Sequence, residues 1–164
     1  MARYGDNRGY YANKLRTHLV GRLGEIAAEA WLSRCLKGYR LVPAFRDLSR
    51  DKDCDIELRV SHRVARVEVK TWSEQHWPEL GRCVAVGQLD ALRAKAAVIL
   101  WCILANGDAE VTIAGWNLLS DLDGLEPVWT GPPSRRKVHN LQMPLERLRE
   151  PSTLNSEMDR LVAS

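Results

Sequence analysis

From Leu15 to Cys35 the apolar residues recur at helical spacing. Leu19, Leu23, Ile26, Ala27 and Ala30 fall at i, i+4, i+7, i+8 and i+11. This period predicts a helix with that stripe turned to the core, and Gly38 follows as its stop. Glu25 and Glu29 lie off the stripe, on a polar face shared with His18 and Arg22. Leu41-Val42-Pro43 reads as a short extended piece, and the polar stretch from Arg46 to Asp53 as a loop.

The period then changes from helical to two. Cys54, Ile56, Leu58 and Val60 alternate with Asp55, Glu57 and Arg59. After Ser61-His62 the alternation resumes, with Ala65, Val67 and Val69 against Arg66, Glu68 and Lys70. Two half-buried antiparallel strands joined by a tight turn account for this pattern. A turn centred between Ser61 and His62 places Glu57 opposite Arg66 and Asp55 opposite Glu68. Opposed residues have Cβ atoms about 5 Å apart, so two carboxylates there repel unless a cation lies between them.

Further on, residues 72–80 read as a tryptophan-bearing loop with Trp72 and Trp77, and Val86 to Lys95 as a short helix containing Gln88. Ala96 to Leu104 is almost wholly apolar, which predicts a strand buried on both faces. Asn106-Gly107 is a turn signal, and Glu110 to Trp116 returns as a strand. Asn117 to Leu122 reads as one helical turn, residues 126–137 as a loop, Val138 to Met143 as an edge strand and the tail as partly helical. The chain divides into a candidate mobile arm (1–14), a core (15–116) and a C-terminal extension (117–164) of one domain.

Bulk properties narrow the class without naming it. The 164 residues, 27% charged and 45% hydrophobic, fit one soluble α/β or α+β domain. No apolar run approaches the ~20 residues of a membrane span, and Met1 to Asp6 has no signal-like apolar segment. The cytoplasm is the expected location. Cys35, Cys54, Cys83 and Cys102 form no CxxC pair and read as small buried hydrophobes. His18, His62, His76 and His139 are scattered, with no two at ligand spacing. There is no phosphate-binding glycine loop and no GxSxG elbow. A net charge of +3 is mild, but arginine outnumbers lysine 18 to 6. Arg16 and Arg22 near the start, and Arg135-Arg136-Lys137, are candidate phosphate contacts, since guanidinium forks match phosphate oxygens.

By chance alone, 11 Glu and 6 Lys yield roughly 0.4 Glu-x-Lys tripeptides in a chain of this length, so the bare motif decides nothing. Its setting carries the weight: an aspartate across the hairpin, clean alternation in both strands, a preceding helix with two off-stripe glutamates and a buried strand after it. The competing reading is a solvated polar face with cross-strand pairs such as Glu57–Arg66.

Gly24-Glu25 in the first helix, Cys54-Asp55-Ile56 on one hairpin strand and Glu68-Val69-Lys70 on the other resemble the PD-(D/E)xK nucleases. The likeness covers about residues 15 to 116. Cys54 stands where the family's proline would be. The resemblance implies a restriction-endonuclease-like α/β core, a mixed β-sheet flanked by helices in the order αβββαβ. It implies that Asp55 and Glu68 hold Mg²⁺ or Mn²⁺, that Lys70 orients the attacking water, that Glu25 completes the outer shell and that Gln88 reaches the scissile phosphate. The implied activity is metal-dependent phosphodiester hydrolysis. DNA is the expected partner, cut endonucleolytically by a restriction-type, homing or Holliday-junction and recombination nuclease. Two strands to cut suggest a homodimer or a larger complex. The alternative is a nucleic-acid-binding or scaffolding protein that keeps the fold without turnover. Trp31 and Trp101 read as core. Trp72 and Trp77 are candidates for base stacking, with packing the preferred reading.

Overall fold

The computed structural model describes the backbone of residues 7–46, 54–107, 110–130 and 138–163, and the side chains of 15–45, 54–107, 110–130 and 138–161. Helix α1 (Asn7–Cys35) leads into β1 (Arg40–Pro43). The hairpin β2 (Ile56–Val60) and β3 (Arg63–Ser73) follows. A short helix α2 (Trp77–Leu80), strand β4 (Cys83–Ala85) and helix α3 (Leu89–Lys95) come before β5 (Val98–Leu104) and β6 (Val111–Leu118). Strands β7 (Val128–Thr130) and β8 (Val138–Gln142) and helix α4 (Leu154–Ala163) complete the chain. The architecture is mixed α/β. Five strands form a sheet in the order β1-β2-β3-β5-β6, antiparallel except where β3 runs parallel to β5. Among the described residues no helix is long and apolar enough to cross a membrane.

The central strand explains how the layers stack. Along β5, Val98, Leu100 and Cys102 enter one apolar cluster, whereas Ile99 and Trp101 enter another. The first cluster holds Ala28 and Leu32 of α1 and Leu36 just after it, with Leu154 and Met158 of α4. The second holds Leu92 of α3 and Val84 and Leu141 of the β4-β8-β7 sheet. A strand covered on both sides has no polar face to show, hence its continuous apolar run.

The hairpin has the expected register, with Glu57 paired to Arg66 and Ile56 to Val67. Ser61 takes the tight turn at φ 54°. Other expectations change. The inward face of α1 is Gly24, Ala28 and Leu32, continued by Leu36 just past its end; it is rotated from the expected stripe, and Leu19 and Ile26 are about half exposed. The cause is close packing. A Cβ on Gly24 would lie 1.7 Å from Thr71 Oγ1 on β3, so the helix approaches the sheet through its smallest residues rather than its most apolar row. The helix also begins well before Leu15.

Strand β3 continues through Trp72, expected in a loop, because β5 supplies its ladder as far as Ser73. The expected helix over Val86–Lys95 opens as a 3₁₀ turn at Val86–Gln88. Residues 128–130, expected in a loop, form β7, and β8 is the middle strand of the second sheet rather than an edge. Three-residue strands are too short to display alternation. Cys35 is exposed, unlike the other three cysteines.

Candidate functional site

Strand β2 begins at Ile56, while β3 runs on beside β5 to Ser73. The two strands therefore part after the Ile56–Val67 pair, just where the register would set Asp55 opposite Glu68. Beyond that point β3 has backbone donors with no β2 partner. Asp55 supplies one acceptor from its side chain: Oδ2 takes the Val69 N–H at 2.7 Å. Its own carbonyl accepts the Ala44 N–H at 2.8 Å, tying this corner to the end of β1. Asp55 is thus held by backbone on both sides.

Glu68 is buried, with 4% of its surface exposed. Oε1 accepts a hydrogen bond from Lys70 Nζ at 2.8 Å. The period of two brings that lysine to the same face of β3. A second lysine also reaches the carboxylate. Lys95, the last residue of α3, places Nζ 2.9 Å from Oε2. Its approach is off the line of a well-formed hydrogen bond, and Oε2, screened from water, has no other donor among the described residues.

These contacts set the proton affinities. Burial raises the Asp55 pKa first, and the charges of Glu68 and Glu25 add to it. The Val69 N–H and Lys95 oppose them, and the carboxyl reaches about 7. For Lys95, burial favours the neutral form. The contact with Glu68 and the charges of Glu68 and Asp55 outweigh it, and its pKa stands above the ordinary value.

The expected residues therefore fare differently. Asp55, Glu68 and Lys70 come together, and Glu25 is near enough for its charge to act on Asp55. Glu25 also accepts a hydrogen bond from Arg22 Nη1 at 2.7 Å. Arg22 lies over the Phe45 ring at 4.9 Å, so this guanidinium is engaged within the protein. Arg16 is exposed on α1. Gln88 is exposed at the N-terminal end of α3, and helix rise separates it from Lys95 by roughly 10 Å. Arg135, Arg136 and Lys137 lie outside the described residues, as does Asp53, which the sequence offers as a backup ligand in the loop before the hairpin.

On the same hairpin face Glu57 has a separate, structural set of partners: Arg59 Nε donates to it at 2.9 Å, and Arg66 stands at 3.8 Å. The expected Glu57–Arg66 pair is therefore present beside the cluster. Trp77 packs against the second apolar cluster under the Arg82 guanidinium, as a packing role requires.

Lys95 is the site residue that the sequence reading missed. Its signal was topological. Because β5 pairs in parallel with β3 from Val67↔Val98 onward, the residues just before Val98 must arrive beside Arg66 and Glu68. The Ala97 N–H bond to the Arg66 carbonyl at 3.0 Å fixes that arrival.

The donor set fits a hard divalent cation. Magnesium binds through one or two carboxylates and keeps several waters. Asp55 and Glu68 supply the carboxylates, and the buried Oε2 lacks a well-directed donor. Among the described residues no three His, Cys, Asp or Glu side chains stand close enough to hold a metal ion by themselves. A cation here would depend on water for the rest of its shell. No protein-family model matches the chain, and neither does any curated protein or any solved structure.

Proposed function

We propose that this chain is a metal-dependent nuclease of the PD-(D/E)xK kind, with a restriction-endonuclease-like core and DNA as the preferred substrate. One observation carries the reading: Asp55, Glu68 and Lys70 converge where β2 parts from β3. The order α1-β1-β2-β3 followed, after the inserted α2 and β4, by α3-β5, with β3 parallel to β5, supports it. Asp55 and Glu68 would hold Mg²⁺ or Mn²⁺, which when bound activates a water and offsets charge on the phosphate. Lys70 would orient that water and face the phosphate charge with its ammonium. Glu25, near Asp55, would fix outer-shell waters. Gln88, away from the cluster, would meet a more distant part of the nucleic acid.

A panel of duplex, branched and single-stranded DNA and RNA, incubated with Mg²⁺ or Mn²⁺, tests the reading. Cleavage is expected from the wild type and not from Asp55→Ala or Lys70→Ala. Cleavage that survives both substitutions overturns it. One observation favours a second reading, a nuclease-fold nucleic-acid-binding or scaffolding protein: two lysines already neutralise Glu68. DNA binding without turnover and without Mn²⁺ uptake would favour that alternative.

A further inference from the structure

We infer that Lys95 is a placeholder cation: its ammonium occupies the position on Glu68 that a divalent ion takes, and the ion must displace it to bind. This rests on the metal-site reading above and adds a competitor to it. Lys70 holds Oε1 by a directed hydrogen bond at 2.8 Å. Lys95 lies 2.9 Å from Oε2, without good alignment. The two oxygens are therefore held unequally, and Oε2 is the one more readily given up. Lys95 also interacts with both acidic groups, since the charges of Glu68 and Asp55 act on it together. A divalent ion held by those carboxylates would answer to the same two charges.

The lysine can leave without unfolding anything. It ends α3, and its side chain is 29% exposed, on a flexible four-carbon stem. While seated, it keeps two opposed carboxylates from repelling each other when no metal is bound. That stabilisation comes at the expense of metal affinity, because the fraction of molecules ready to bind is reduced.

Calorimetry with Mn²⁺ tests this on wild type, Lys95→Met and Lys95→Arg, at about pH 8, above the range in which Asp55 takes up its proton. Lys95→Met is expected to bind Mn²⁺ roughly tenfold more tightly, as when a competing state populated at about nine parts in ten is removed. Lys95→Arg, which keeps the charge, is expected to stay near wild type. Thermal melts with and without Mn²⁺ guard against misfolding. The metal-free Met variant melts lower, and Mn²⁺ raises its midpoint more than that of wild type. Equal or weaker Mn²⁺ binding by a folded Lys95→Met overturns the placeholder role and leaves the nuclease reading standing. Binding by neither protein overturns the metal site itself, and this inference with it.

Discussion

Asp55→Asn tests the electrostatics of the site while preserving its shape. The asparagine carbonyl can still accept the Val69 N–H, but the charge is gone. Burial, then Glu68 and Glu25, raise the Asp55 pKa from 3.8 to about 7 in the folded protein. The unfolded chain keeps the ordinary value. Between those two values the unfolded chain has released its proton while the folded chain retains it. The stability that this carboxyl contributes is therefore fully present below about pH 4 and is lost as pH rises through about 7. A rise of roughly three units, at about 1.4 kcal/mol each, sets an upper bound on the order of 4 kcal/mol.

The assay is urea unfolding of both proteins from about pH 4 to about pH 8 with a chelator present. The two should be nearly equal at the acid end. Near pH 8 the asparagine variant should be more stable by roughly 2–4 kcal/mol. Added Mn²⁺ should narrow or reverse that gap, because only the ionised aspartate binds it well. A variant less stable than wild type at every pH refutes the reasoning. It would mean that the Val69 and Lys95 contacts outweigh burial and like-charge repulsion.

Three further outcomes follow from the packing. Gly24→Ala should destabilise by about 1–3 kcal/mol despite the better helix propensity of alanine, because the new Cβ meets Thr71 Oγ1 at 1.7 Å. Thr71→Ala should restore part of the loss in a double-mutant cycle followed by thermal melting. Leu32→Ala should cost about 2–4 kcal/mol, while Leu19→Gln, on the exposed face of α1, should stay within about 0.5 kcal/mol. Similar costs for the two would show that the inward face of α1 is misassigned. Asn117→Ala should cost about 2–4 kcal/mol by denaturant unfolding. The buried amide accepts from Trp101 Nε1 at 3.0 Å and donates to Asp121 at 3.1 Å and to the Arg147 carbonyl at 2.9 Å.

What the sequence made legible was local, and what it hid was tertiary. Alternation with a two-residue turn determined the β2–β3 register, because slipping by one residue would turn Ile56, Leu58 and Val67 to the wrong face. The apolar run of β5 needed no context either. The inward face of α1 was misread because hydrophobicity ranks Leu19 and Ile26 above Gly24, and only the Thr71 contact shows why the glycine faces inward. Strands β4 and β7 were invisible because each pairs with β8, and neither is long enough to show a period. Lys95 was missed for a related reason. A residue delivered by a parallel crossover carries no mark of its destination until the pairing of β3 with β5 is known.

The candidate site stands where local and global preferences conflict. Two carboxylates opposed at the end of a strand pair oppose the rule that stabilises sheets, and burial makes the conflict worse. A hairpin selected only for stability would place a pair such as Glu57–Arg66 at that position too, as it does one step along the same face. Instead the chain brings Asp55 within reach of the Glu68 charge and offsets the repulsion with a lysine from β3 and another from α3. On the proposed reading, the cation that enters the site is what compensates for this unfavourable arrangement. The charge of Asp55 should therefore act against stability in the metal-free protein and in favour of it once a metal is bound.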